Sequence, residues 1–232
     1  MKIIKPSFTY VTNMTPEHIE ELIDKVEKAY RVCYASEPKG NRDTFITNKI
    51  RMGHESPLEH SNITIEVITN RGVTHEIVRH RIGAYSQQST RYCNYSQDKF
   101  GNELTFMKPE WVSEESVKSY FENPRAEDTP EHLFLNSCSN SEADYLELLE
   151  NGWKPEQCRE VLNNALATTI IMTYNIRTWR HFFNLRVLGT TGKPHPNMEY
   201  TFAPVLKDFA EKMPIFFGDL WKQYEAKLAN KK

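Results

Sequence analysis

Two runs of β-branched residues constrain the fold of this chain more than any other feature. The run SNITIEVIT (61–69) alternates isoleucine or valine with polar residues, which is typical of a half-buried strand. The run TTIIMTY (168–174) is too β-branched for a comfortable helix and also predicts a strand. Segments with helical character follow both runs, at 72–81 and 176–186. The chain is therefore predicted to combine a sheet with helices.

Helix signals are strong elsewhere in the chain. A Thr-Pro-Glu start, with a cap hydroxyl followed by proline in the first turn, occurs at Thr15 and again at Thr129. Residues 113–150 are acidic and amphipathic, which predicts helices around the second start. The C-terminal stretch predicts helices that are interrupted at Pro204 and Pro214.

The order of these elements indicates the fold class. Strands and helices do not alternate regularly as in a Rossmann domain, and neither a GxGxxG loop nor a Walker P-loop occurs. We expect an α/β fold of mixed type, not Rossmann, with a β-sheet flanked by long helices. A single domain over residues 1–232 is expected, because this length can bury a sizeable core.

Composition and cysteine spacing indicate the compartment. No apolar run approaches the roughly 20 residues of a membrane span, and MKIIKPSFTY lacks the apolar region of a signal peptide. The four cysteines form no CxxC pair and show no metal-ligand spacing, so we expect reduced thiols in the cytoplasm and no membrane association. The formal net charge of −2 argues against general binding to nucleic acid.

Two arginine-rich polar segments are the main functional candidates. In RHRIGAYSQQSTRY (79–92) arginines alternate with serine, threonine and glutamine, and Glu76 is the only acid between Arg71 and Arg91. Similar chemistry recurs at 175–186. A solvated basic face is the simplest interpretation of a charged stretch, but donors of these kinds also form a shell around phosphate or carboxylate. We therefore predict one or two pockets for a phosphorylated small molecule.

The segment HESPLEH (54–60) has the residue types of a metal site but not the spacing. The second histidine follows the first by six residues rather than four, and Pro57 interrupts the turn, which argues against a zinc protease. A capped turn before the strand explains the segment equally well, and we predict no metal. Cys93 could be a nucleophile near arginines, although a lone thiol beside a strand is more often packed.

Three motifs together resemble the flavin-dependent thymidylate synthase family. RHRIGAYSQQS fits the signature RHR-x7-S, with Arg79, His80 and Arg81 followed by Ser89. HESPLEH resembles the family's H-x-[ST]-P-x-E-H segment, and NIRTWRHFFNLR resembles its N-x-R-x-[WL]-x-[HN]-F-x-x-x-R segment. The motifs occur in the family's order and span residues 54–186.

The resemblance implies an activity and its reactants. The chain would methylate dUMP to dTMP, with 5,10-methylenetetrahydrofolate as carbon donor, NADPH as reductant and FAD as hydride carrier. It would adopt the family's α/β fold and form a homotetramer with flavin sites between subunits. The donors in residues 79–91 would hold two anions, the FAD pyrophosphate and the dUMP phosphate.

The resemblance also implies roles for individual positions. Those implied to contact or border the flavin are His54, Ser56, Glu59, Arg79, His80, Arg81, Gln87, Asn175, Arg177, His181 and His195. Those implied to bind dUMP are Glu76, Arg79, Gln87, Gln88, Ser89, Thr90, Arg91, Arg159 and Arg186, with Gln88 and Thr90 acting through their backbone and Arg159 supplied by a different subunit. Glu76 and Gln87 depart from the family pattern, which often has Gln and Glu there.

The resemblance further implies that Arg186 is the residue that contacts the uracil and activates it, which makes it the candidate catalytic residue. The chain lacks the Pro-Cys-His nucleophile segment of the ordinary thymidylate synthase, and no His-Asp relay that could activate Ser89 is evident. A guanidinium at the uracil edge would instead stabilise negative charge and raise the electron density at C5.

Two other functions are compatible with the residues alone. Segment 79–95 could clamp nucleic acid, with Tyr85, Tyr92 and Tyr95 stacking on bases, although a net charge of −2 argues against it. A flavoprotein of the same fold that acts on a different nucleotide would also need a phosphate shell. The choice of dUMP rests on the resemblance.

Overall fold

The computed structural model describes residues 1–124 and 129–230. The strands are β1 (Lys2–Ile4), β2 (Ser7–Tyr10), β3 (Asn62–Asn70), β4 (Ala84–Gln87), β5 (Thr105–Met107) and β6 (Ala167–Asn175). The α-helices are α1 (Pro16–Tyr34), α2 (Arg42–Arg51), α3 (Arg71–Ile77), α4 (Glu114–Glu122), α5 (Pro130–Glu150), α6 (Pro155–Cys158), α7 (Ile176–Phe183), α8 (Pro196–Lys212) and α9 (Pro214–Ala229). Of the stretch 113–150 that predicts helices, residues 125–128 lie outside the described residues.

The larger sheet confirms both predicted strands. Its strand order is β2-β3-β6-β4, so the β-branched runs form the two central neighbours. Alternate residues of β3 and β6 are buried, as a half-buried strand requires. Strand β4 was not predicted, because its sequence AYSQ is polar; it lies at the sheet edge, beside β6.

Contacts within the chain define two compact units, each assembled from separate segments. Unit 1 comprises Met1–Ser7, Val67–Arg79 and Ser86–Ile170; unit 2 comprises Phe8–Glu66, His80–Tyr85 and Ile171–Lys232. The single domain over residues 1–232 stays a prediction. The mixed α/β fold with long helices is confirmed, and α1, α5, α8 and α9 run for 16 to 21 residues.

Unit 1 has an apolar core beneath a short parallel strand pair. Strands β1 and β5 pair in the register Lys2–Thr105 to Ile4–Met107. The buried cluster behind them consists of Tyr95, Leu104, Phe106, Cys138, Tyr145, Cys158 and Leu166. Burial raises the pKa of the Cys138 thiol to about 11, so this thiol is protonated at neutral pH.

Unit 2 is built around aromatic side chains. Trp179 on α7 is fully buried, and its indole N–H donates to the carbonyl oxygen of Ile63 at 3.0 Å. Its ring stacks on Phe183 at 5.5 Å between centroids and meets Phe209 edge to face at 5.1 Å. These contacts fix α7 against β3 and α8, and α7 carries several predicted site residues.

The predicted interruption at Pro204 is wrong, whereas the one at Pro214 is confirmed. Helix α8 continues through Pro204 to Lys212, and α9 begins at Pro214. A proline inside a helix removes one backbone hydrogen bond. Burial of Phe202, Val205 and neighbouring residues of the same helix offsets that loss, a tertiary effect that local sequence does not reveal.

Across the part of the chain that the structure describes, no helix combines the length and the apolar character that crossing a membrane requires.

Candidate functional site

The catalytic candidate Arg186 lies in a π-helical turn that follows α7. This turn spans Asn184–Leu188. π-Helical turns are rare in proteins as a whole, but those that occur are often found at functional sites. The Nε–H of Arg186 donates to Nε2 of His80 at 2.9 Å. In unit 2 this hydrogen bond therefore connects His80 of the RHR motif with Arg186 of the motif NIRTWRHFFNLR.

The imidazole of His80 is neutral at physiological pH. Its side chain is buried and packs edge to face on Phe182, with 4.8 Å between ring centroids. Burial, then the positive charge of Arg186, then His181, lower the pKa of His80 to about 4. Because Nε2 accepts the hydrogen bond from Arg186, the ring proton resides on Nδ1.

Two tyrosines, Tyr85 and Tyr174, fix the loop that carries His80. The Tyr85 hydroxyl donates to the carbonyl oxygen of His80 and lies 2.6 Å from the Tyr174 hydroxyl. A Cβ atom at Gly83 would come within 2.2 Å of the Tyr174 ring, so only glycine allows this close approach. Burial is the main cause that raises the pKa of Tyr174, which stays a neutral phenol.

The arginines of α7 divide into one exposed and one buried residue. The Asn175 side chain caps the helix by accepting from the Thr178 N–H at 2.8 Å. Arg177 is half exposed and pairs with Glu59 at 2.5 Å. Arg180 is buried and makes a two-point contact with Asp219, each N–O distance being 2.7 Å. Arg180 therefore stabilises the helix packing, whereas Arg177 stays accessible.

The remaining predicted flavin residues of unit 2 lie at the surface. His54 Nδ1 is 2.9 Å from the Tyr34 hydroxyl, and Ser56 begins the turn Ser56–His60. A turn before the strand is therefore confirmed, but Glu55 at its start makes no side-chain capping hydrogen bond. His195 caps α8, its Nδ1 accepting from the Asn197 N–H at 3.2 Å. Exposed side chains in this set are His54, Ser56, Glu59, Arg81, Arg177, His181 and His195.

In unit 1, Gln87 is the last residue of β4, and the predicted nucleotide residues from Gln88 to Arg91 follow it. Gln87 donates to the hydroxyl oxygens of Thr74 at 3.0 Å and Thr168 at 3.4 Å. The Gln88 N–H donates to the Thr169 carbonyl at 2.9 Å, and Gln88 also lines a cavity of about 180 Å³ with Tyr95.

The turn after Gln88 is organised by Ser89. Its hydroxyl accepts from the Arg91 N–H at 3.2 Å, and its carbonyl accepts from the Cys93 N–H at 3.0 Å. The Arg91 side chain extends to Glu156 at 2.9 Å. Further along α3, Glu76 accepts a backbone hydrogen bond from Arg79, whose side chain is exposed.

Arg159 and Thr90 share one pocket of about 220 Å³ in unit 1. Arg71 and His75 of α3 line the same pocket, and the Nη1 atom of Arg71 is buried without a hydrogen-bond partner. A buried guanidinium nitrogen without a partner next to a second arginine is suited to an anion. The pocket thus brings Thr90 and Arg159 together with Arg71 and His75, and Glu160, which lies 3.4 Å from Arg159, also lines it.

Arg71 and His75 were not among the predicted site residues. They lie four residues apart on α3, a spacing that puts both on one helix face. The sequence signal that could have identified Arg71 and His75 is their spacing, since Arg71, His75 and Arg79 follow one another at intervals of four residues.

The fold belongs to a known structural class. A UMP/dUMP methylase, PolB from Streptomyces cacaoi, solved with 5-Br dUMP, superposes with a TM-score of 0.69 over 97% of both chains at 20% identity.

Sequence comparisons identify the family. The family described as thymidylate synthase complementing protein matches residues 17–215. A flavin-dependent thymidylate synthase of Geobacter sulfurreducens is 35% identical over 182 residues, which cover 73% of this chain and 71% of the relative. Another, from Mycobacteroides abscessus, is 31% identical over 219 residues, covering 84% and 78%. The chain therefore belongs to the flavin-dependent thymidylate synthase family and is an enzyme.

Proposed function

We propose that this enzyme converts dUMP to dTMP by reductive methylation. 5,10-Methylenetetrahydrofolate supplies the one-carbon unit, and NADPH supplies the two electrons that reduce it to a methyl group; tetrahydrofolate and NADP⁺ are the other products. Family membership supports this activity, because the relatives from Geobacter sulfurreducens and Mycobacteroides abscessus are flavin-dependent thymidylate synthases.

The observation that carries the proposal is the contact between Arg186 and neutral His80. At Nε the guanidinium donates to an uncharged imidazole rather than to a carboxylate, so this contact itself does not neutralise the positive charge. A fixed positive charge beside the uracil would stabilise the negative charge that develops on the ring and increase electron density at C5. Arginine suits this role because it stays protonated.

The arginine pocket of unit 1 fits the phosphate of the nucleotide. Arg159 and Arg71 of one chain supply guanidinium donors beside Thr90, so this pocket would bind the phosphate without the different subunit from which the resemblance implies Arg159 to come. The unpartnered Nη1 atom of Arg71 is an observation that favours an anion there. Ser89 and Arg91 are proposed to hold the nucleotide from the adjoining turn, and Glu76, Arg79, Gln87 and Gln88 complete the set.

FAD is the proposed cofactor, and when bound it supplies hydride transfer. The donor set of unit 2 suits a flavin dinucleotide, since exposed histidine, serine and arginine side chains accompany the cap residue Asn175. The side chains that would hold it are Ser56, Arg79, His80, Arg81, Asn175, Arg177, His181 and His195, and the site would be bordered by His54 and Glu59. We further propose a homotetramer with sites between subunits, and a cytoplasmic location, for which the free state of the four cysteines is support.

The test combines flavin binding with product formation. The purified protein is incubated with FAD and desalted, its visible spectrum is recorded with and without dUMP, and dTMP is quantified after addition of folate and NADPH. We expect Arg186→Lys to retain flavin and to lose about 100-fold or more in turnover, because a lysine cannot reproduce the planar fork.

Arg51→Lys is the matched control, since Arg51 is exposed at the end of α2 and bonds only Asn48 among the contacts described. Its turnover should equal that of the natural chain. Normal turnover by Arg186→Lys would refute the assignment, and loss of flavin in that variant would make Arg186 a flavin-binding residue instead.

A second candidate is methylation of a different uridine nucleotide. The fold shared with a UMP/dUMP methylase favours testing UMP as well. Comparing kcat/KM for dUMP and UMP decides between the two substrates. Absence of retained flavin, together with steeply salt-dependent binding of single-stranded nucleic acid, would favour the nucleic-acid alternative.

A further inference from the structure

The π-helical turn Asn184–Leu188 needs support that α7 cannot give it. A π-turn widens the backbone and breaks the regular i to i−4 hydrogen-bond pattern. At its end, the Asn184 carbonyl accepts from both the Gly189 N–H at 2.9 Å and the Thr190 N–H at 3.0 Å. Gly189 adopts φ +75°, and a Cβ atom there would lie 2.8 Å from the Gly192 carbonyl oxygen. The C-terminal side of the turn is therefore closed by its own loop.

The carbonyl next to Arg186 is held from a distant helix. Lys227 on α9 donates from Nζ to the Val187 carbonyl oxygen at 2.7 Å. The same ammonium lies 3.4 Å from the carboxylate of Glu199 on α8, and the Tyr224 hydroxyl donates to that carboxylate at 3.1 Å. Lys227 and Glu199 are both largely buried, with side-chain exposures of 24% and 15%.

We propose that Lys227 is a positioning residue for Arg186: it fixes the π-turn through the Val187 carbonyl and so holds the guanidinium in place for nucleotide activation. The catalytic half of this inference rests on the proposed function. Lys227 itself touches the backbone of the turn and the side chain of Glu199 in unit 2.

The physical reason is the strength and reach of this contact. A hydrogen bond from an ammonium to a carbonyl is charge-assisted and stronger than a neutral one. The carboxylate of Glu199 orients the ammonium of Lys227 towards the turn. The long lysine side chain therefore loses little further conformational freedom when it binds the Val187 carbonyl. Without this donor the Val187 carbonyl is released, and the adjacent Arg186 can shift. Displacement of a catalytic group by about 1 Å is enough to cost up to about 100-fold in rate.

The first measurement does not depend on activity. Hydrogen exchange of the backbone amides of residues 184–190 is compared among the natural chain, Lys227→Met and Lys222→Met, the last changing an exposed lysine of the same helix. We expect about tenfold faster exchange in Lys227→Met only, and recovery in Lys227→Arg, which keeps a cationic donor. Should Lys227→Met be too unstable to purify, Lys227→Gln is measured in its place.

The second measurement links the turn to Arg186. We expect Lys227→Met to lower kcat about tenfold with little change in KM for dUMP. In an Arg186→Lys background the same substitution should lower kcat less than about twofold, because the group it positions is already lost. A general loss of stability would instead lower kcat equally in both backgrounds.

The outcomes separate the two proposals. Unchanged exchange at residues 184–190, or equal effects in both backgrounds, overturns the role of Lys227. If the natural chain forms no dTMP, the proposed function fails, and the exchange measurement alone decides whether Lys227 holds the turn.

Discussion

Charging the buried imidazole of His80 should destabilise the folded chain at mildly acidic pH. The pKa of His80 is about 4 in the folded chain, against 6.5 for the ordinary side chain. Between these values the unfolded chain binds a proton at this position and the folded chain does not. Stability is therefore fully present above pH 6.5 and is lost as the pH falls towards 4.

The magnitude follows from the two pKa values. Between pH 7 and pH 4.5 the linkage relation gives a loss of roughly 2.5 kcal/mol in the free energy of unfolding from this residue alone. His80→Gln isolates that contribution, because the glutamine oxygen can accept from Arg186 but does not titrate in this range. Other groups titrate equally in both proteins and cancel in the difference.

The assay is urea unfolding at several pH values from 7 to 4.5, with His60→Gln as control because His60 is exposed. The natural chain should lose about 2.5 kcal/mol more than His80→Gln over this range, while His60→Gln behaves like the natural chain. Parallel pH dependence of the natural chain and His80→Gln would refute the reasoning, as would a His80 pKa near 6.5 by NMR titration.

Two further predictions concern stability at pH 7, each measured by urea unfolding. Gly189→Ala should lower the free energy of unfolding by about 2 to 4 kcal/mol, because the added Cβ meets backbone atoms at a positive φ. Gly53→Ala is also at a positive φ but in open space, so it should lower the free energy of unfolding by only about 1 kcal/mol. Equal losses for the two variants would contradict the steric argument. Trp179→Phe should cost about 2 to 4 kcal/mol by removing buried volume and the donor to a main-chain carbonyl, and Trp153→Phe, half exposed, less than about 0.5 kcal/mol. A loss below 1 kcal/mol for Trp179→Phe would show that the indole hydrogen bond contributes little.

Local patterns sufficed for the long elements. Helices α1 and α5 begin where Thr15 and Thr129 predict, and each threonine side chain accepts from a backbone N–H three residues later. The alternation of β3 and β6 was readable because one face of each strand is buried. Strand β4 was not readable, because a polar segment becomes an edge strand only through the neighbour that it pairs with.

The sequence also predicted the residue types of the site, but it did not predict which role each residue has in the folded chain. Arg177 and Arg180 look alike in the motif, yet one pairs with Glu59 at the surface and the other is buried against Asp219, 39 residues further along the chain. Arg71 and His75 joined the predicted Arg159 only in the folded pocket.

By itself, the sequence determined the family, the mixed α/β class and the set of polar residues available for anions, because motifs and periodicities are local properties. The tertiary structure alone decided which of these residues act together. His80 and Arg186 meet across 106 positions, and Lys227 reaches the turn across 40. The neutral state of His80 follows from its burial, and burial arises only when distant segments pack.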